Sequence, residues 1–155
     1  MAELTIANHL NVHLVLEISA AAKYAGHACL IRYHGYTKLA DRYQEEAKEE
    51  QQHADKLAWR IQELGEIPDF MPELEGETIK HWDIGELLAS DLETEKAVLE
   101  SLRECNDLAE EHSDYATSEV LRCLITETQG HVTWLSTQVT LLKEIGSQNY
   151  LQAWL

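Results

Sequence analysis

The chain has 155 residues, with 28 acidic side chains against 12 basic ones and a formal net charge of −16. That balance argues against nucleic-acid phosphate as a partner and suits a surface or cavity that draws in cations. The length predicts one domain over residues 1–155 with a core of its own, and the 45% hydrophobic content is ordinary for a globular protein.

Helix formers dominate, and the only prolines, Pro68 and Pro72, lie together near the middle. Two long uninterrupted stretches remain, which predicts an all-α fold. Cys29, Cys105 and Cys123 form no C-x-x-C pair, so they read as small buried hydrophobes in a reducing compartment. The N-terminal apolar run is interrupted by Glu3, His9, His13 and Glu17 and lacks a basic leader. It predicts neither a signal peptide nor a membrane span, and the expected location is cytoplasmic.

Periodicity predicts four long helices. The first, about 4–34, carries an inward stripe of Leu10, Leu14, Glu17, Ala21, Tyr24, Ala28 and Ile31, with Gly35 as its stop and Thr37 as the next N-cap. The second, about 38–64, faces inward with Leu39, Tyr43, Ala47, Glu50, Ala54 or His53, Leu57, Ile61 and Leu64, and Gly65 closes it. Residues 65–81 are the one long irregular connection. The third helix, about 82–111, presents Ile84, Leu88, Leu92 or Asp91, Glu95, Val98, Leu102, Cys105 and Ala109. A tight join near His112 and Ser113 leads to the fourth, about 114–145, with Leu121, Leu124, Thr128, His131, Leu135, Gln138, Leu142 and Ile145 on its seam. Gly146 and Ser147 predict a stop and a fresh N-cap, hence a short fifth helix over 147–155.

The short joins after the first and third helices demand antiparallel neighbours. The central connection of 17 residues, at roughly 55 Å when extended, spans a helix of about 40 Å. The second and third helices can therefore run parallel, which predicts a four-helix bundle with one long crossover.

One spacing occurs twice. Glu17 and Glu95, Glu50 and position 128, and His53 and His131 are each separated by 78 residues. The first half reads Glu … Glu-x-x-His; the second has Thr128 where a second glutamate is expected. Carboxylates and imidazoles on a bundle seam are costly unless paired or bound to metal. Two Glu and two Glu-x-x-His sets facing inward from four helices are a di-iron carboxylate pattern. The candidate metal ligands are Glu17, Glu50, His53, Glu95 and His131. Thr128 is a neutral hydroxyl that cannot bridge two cations. Glu127 matches Glu49 at the same separation, so it reads as the regular neighbour of the ligand position. Tyr24, on the Glu17 seam, is placed to hydrogen-bond a ligand or relay an electron, or simply to fill the core. Glu45 and Glu49 lie on one flank, as cation-transfer groups or as a solvated charged face. His9, His13, His27, His34, His81 and His112 find no matching partners and are expected at the surface or in structural roles. Trp59, Trp82, Trp134 and Trp154 are expected in the core or at subunit contacts.

The segments EEQQHADKLAWRIQELGEIP, ASDLETEKAVLESLREC and GHVTWLSTQVTLLKEIGSQNYLQAWL make the chain resemble the bacterioferritins over essentially its full length. The resemblance implies a ferritin-like bundle, a hollow shell of twenty-four subunits, a ferroxidase centre in each bundle and ferric mineral in the cavity. It assigns Glu17, Glu50, His53, Glu95 and His131 as iron ligands and places Tyr24 beside them. Thr128 stands at the family's second bridging glutamate. Gln51 stands where family members carry the methionine that binds haem between paired subunits, so haem is not expected in a shell of this chain alone. Two readings follow. In one, the subunit oxidises Fe(II) for storage with its second metal position weakened. In the other, it is a non-catalytic structural subunit of a shell mixed with a site-complete partner.

Overall fold

The computed structural model describes residues 5–155, and among them there are four long helices and no strand. Helix α1 spans Ile6–Tyr33, α2 Thr37–Glu63, α3 Ile84–Glu111 and α4 Tyr115–Gln152. Thr5 opens α1 through a capping box with Asn8. Gly35 and Gly65 end the first two helices at φ 92° and 86°, a left-handed conformation that glycine adopts at no steric cost. Thr37 is the first residue of α2 and not its cap: Tyr36 precedes it with no side-chain cap bond. The Lys38 amide instead donates to the Trp154 carbonyl at 3.2 Å, so the end of the chain closes the start of α2.

The crossover runs the length of α1. Asn11 bonds Ile67 and Asp69, Ser19 accepts from the Glu75 amide, and Trp82 stacks on His34 at the far end. The third helix therefore starts beside the end of α1 and runs parallel to α2, as the linker length predicts. Helix α1 packs on α2 and α3, and α4 packs on α3 and α2. By length and apolarity α1 alone among the described helices would suffice to cross a membrane. Here it is a core helix, with twelve buried residues facing its neighbours.

The predicted stripes are buried along all four helices, with three exceptions near the ends: Leu64 and Leu142 are half-buried and Ile145 is 40% exposed. Helical structure continues past Gly146 to Gln152, broken at that one residue (φ 77°, ψ 158°), and Tyr150 folds back to donate to Gln138. The extended backbone at Gly146 thus sets the terminal helical segment off from the rest of α4, at the position where the sequence predicts a stop. Of the cysteines only Cys105 is buried; Cys29 and Cys123 are exposed, contrary to the expectation of three buried thiols. Their helix positions lie outside the seams, which spacing alone reveals.

The core divides into two apolar clusters. One surrounds Tyr24, Ile31, Leu39, Leu88 and Leu135; the other surrounds Leu10, Leu57, Leu102 and Leu121. Between them lies a polar layer made by one residue or pair from each helix.

Candidate metal centre

Each helix delivers its polar residues to that layer by the periodicity that buries its apolar neighbours. Glu17, Glu50, Glu95 and Thr128 are fully buried, and His53 and His131 nearly so. The structure brings all five predicted ligands together. Ligand atoms of Glu17, Glu50 and His53 lie within 4.8 Å of one another, as do those of Glu50, Glu95 and His131. Glu50 belongs to both sets. The two imidazoles lie nearly parallel, 6.1 Å apart.

A buried polar atom without a partner is costly. Here a whole set of them converges: Glu17 Oε2, both Glu50 oxygens, His53 Nδ1, Glu95 Oε2, His131 Nδ1 and Thr128 Oγ1 make no well-directed hydrogen bond among the described residues. The charged ones face only each other, with His131 Nδ1 at 2.9 Å from Glu50 Oε1 and His53 Nδ1 at 3.4 Å from Glu50 Oε2. Carboxylate and imidazole donors left bare on one interior spot fit divalent iron or a similar cation. Thr128 Oγ1 joins the layer but brings no charge.

The outer edges of the candidate ligands are tied back. His53 Nε2 donates to Glu127 Oε2 at 2.8 Å, and Lys56 holds the same oxygen at 3.3 Å. His131 Nε2 donates to Glu49 Oε2 at 2.7 Å, with Glu46 Oε2 at 2.9 Å. Glu127 therefore reaches across from α4 to the α2 histidine, and Glu49 reaches from α2 to the α4 histidine. The 78-residue separation of these two glutamates reflects a matched pair of straps that fix each ring with Nδ1 inward. Glu45 is exposed and touches neither histidine. Replacing Glu127 or Glu49 by alanine is expected to weaken metal binding at its own histidine by roughly 10–100-fold, measured by titrating each variant with Co(II).

The terminal carboxylates are tied as well. Tyr24 donates to Glu95 Oε1, realising the hydrogen-bonding role. His13, expected at the surface or as a structural residue without a partner, is fully buried, 2.8 Å from Glu17 Oε1 and 2.9 Å from Ser101 Oγ. His27 is also buried, on Asp91 at 2.8 Å. Sequence reasoning passed over His13 and Glu46, yet each stands four residues before a ligand, on the same helical face. His9 is half-buried, and His34, His81 and His112 are exposed. Trp59 is exposed, while Trp82, Trp134 and Trp154 pack partly against the core.

The electrostatics favour protons while no cation is bound. Burial alone would lower the His53 imidazole, but Glu17 and Glu50 outweigh it and push it up to about 10. Burial likewise works against His131 and loses to Glu46, Glu50 and Glu95, which raise it. Burial and the neighbouring Glu17 push Glu50 up; burial also raises Glu95. A histidine raised in the folded state stabilises it fully below the ordinary value of 6.5, and that contribution is lost as pH climbs through about 10. The metal-free protein is expected to lose Tm across that window, and a flat Tm in chelator would contradict the pairing.

Comparison with known proteins places this arrangement. A family model described as a ferritin-like domain matches residues 7–145. A bacterial ferritin of Pseudomonas aeruginosa is 32% identical over 149 residues, covering 96% of this chain and 95% of the relative. A bacterioferritin of Brucella melitensis is 33% identical over 150 residues, covering 95% and 90%. The solved structure of Rhodobacter capsulatus bacterioferritin, described with a metal-free dinuclear site and a haem iron, superposes with a TM-score of 0.92 at 31% identity, covering 99% of this chain and 94% of that one.

Proposed function

Because the chain belongs to the bacterioferritins of the ferritin-like family, we propose that this iron-storage cage subunit takes up Fe(II) between its four helices and oxidises it for deposition as ferric mineral. The observation that carries the reading is the convergence of unpartnered buried donors on one spot. Iron is the substrate. Glu50, common to both donor sets, would bridge two irons, with Glu17 and His53 completing one position and Glu95 and His131 the other. Each iron gives one electron to dioxygen or peroxide. The straps from Glu127 and Glu49 keep the imidazole lone pairs aimed inward while the Nδ1 protons leave.

The two positions are unequal. A cation must displace a proton from each imidazole. His131 has three carboxylates within 2.9 Å, Glu46, Glu49 and Glu50, whereas His53 has one that close, Glu127, with Glu50 and Glu17 at 3.4 and 3.6 Å. Thr128 also leaves α4 with His131 as its one charged donor in the layer, so the Glu17–Glu50–His53 position fills first. The reading includes a single domain, a cytoplasmic location and a shell of twenty-four copies.

Gln51 favours a second reading alongside the first. It is exposed on α2 and bonds Asp55, offering no sulfur to haem, and Met71 lies on the distant crossover. A shell mixed with a haem-binding partner subunit would supply what Gln51 and Thr128 lack. Aerobic Fe(II) loading followed by chelator washing and electron microscopy tests the storage reading: mineral cores inside shells are expected, and no retained iron would overturn it.

A further inference from the structure

Glu17 and Glu95 are tied in the same manner by different chemistry. Each has one oxygen committed outward, Oε1 in both, and one bare oxygen, Oε2, turned into the metal layer. For Glu95 the outward tie is a phenol from another helix. For Glu17 it is an imidazole one turn earlier on its own helix, in a chain running from Ser101 Oγ on α3 through His13 to the carboxylate. Glu17 and His13 are fully enclosed and Ser101 is half-buried.

The hydrogen-bond directions are constrained. An ionised carboxylate only accepts, so His13 Nε2 must carry a proton to hold Glu17. The Ser101 hydroxyl can then donate to Nδ1, satisfying both ring nitrogens without a second charge. Position 91, which corresponds to His13 in the second half, is Asp91 and faces Lys23 and His27 instead. The tie on Glu17 is therefore a feature of the first half alone, the half predicted to take the tighter iron.

We propose that His13 is a positioning residue that confines Glu17 to coordination through one oxygen. An untied Glu17 would be free to swing and chelate the cation with both oxygens. Holding Oε1 back leaves a coordination position open for the oxidant or for water. The inference rests on the proposed metal site, so its test separates the two.

Co(II) is the probe, because its visible ligand-field bands are intense at four or five ligands and weak at six. His13→Leu is expected to weaken those bands several-fold, while His13→Gln, which keeps an N–H at similar reach, retains the wild-type spectrum. Wild-type bands in His13→Leu, or equal weakening in both variants, would overturn the proposal. If His13→Leu does not fold, Ser101→Ala serves in its place, with partial weakening expected and no change contradicting. Independently, nitrogen-15 NMR of the metal-free protein should find His13 protonated at Nε2; a bare Nε2 overturns the proposal whatever the cobalt shows. A wild-type protein that binds no cobalt yet shows the Nε2 proton counts against the metal site, while the bond from His13 to Glu17 stands.

Discussion

Thr128→Glu is expected to raise the affinity of the His131-side iron position by at least about tenfold, or ~1.4 kcal/mol, and to speed Fe(II) oxidation correspondingly. The expectation follows from position. Thr128 is fully buried in the metal layer, with its hydroxyl unpartnered among the donors of both positions. A carboxylate there would lie opposite Glu50 and add the charge that two divalent cations need. The same substitution should lower the Tm of the metal-free protein, because a fourth buried carboxylate joins Glu17, Glu50 and Glu95 with no new cation beside it. Stopped-flow oxidation kinetics with a metal-free melting curve check both halves. A variant no faster than wild type would mean that the natural site is already complete.

Glu50→Gln is the more damaging change. Glu17 and Glu95 each fall in one of the two donor sets, whereas Glu50 falls in both. Its neutral replacement is expected to remove tight binding at both positions, on the order of 10²-fold or more in affinity. Glu17→Gln should chiefly affect the His53 side, and Glu95→Gln the His131 side. The glutamine also takes away one of the carboxylates that raise His53 and His131, so the alkaline loss of stability should become shallower. Isothermal titration of the three variants tests this ranking. Equal losses in all three would contradict a shared Glu50.

Most of this architecture was legible in the sequence because bundle seams repeat. The steps of three and four residues located the buried faces, and the matched Glu and His separations located the polar layer. The 17-residue connection told the helix directions, since only a crossover along the bundle needs that reach. The ends were less legible. Leu142 and Ile145 continue the spacing but are only partly covered, just before the non-helical Gly146. The ties around the ligands were hidden for a different reason. His13 and Glu46 each share a helical face with a ligand, but their bonds go to side chains distant in sequence, Ser101 and His131, and no single-helix period reports a partner on another helix. Glu127 shows the reverse case: its match with Glu49 kept it out of the ligand set, and the structure gives both residues one job on opposite histidines.

The most direct test of the central claim, a four-helix iron site made unequal by Thr128 and by the proton held on His131, is anomalous scattering at the iron edge from crystals soaked in Fe(II). The account predicts a strong peak among Glu17, Glu50 and His53 and a clearly weaker one among Glu50, Glu95 and His131. Two peaks of equal, full height would contradict it, and so would none at all.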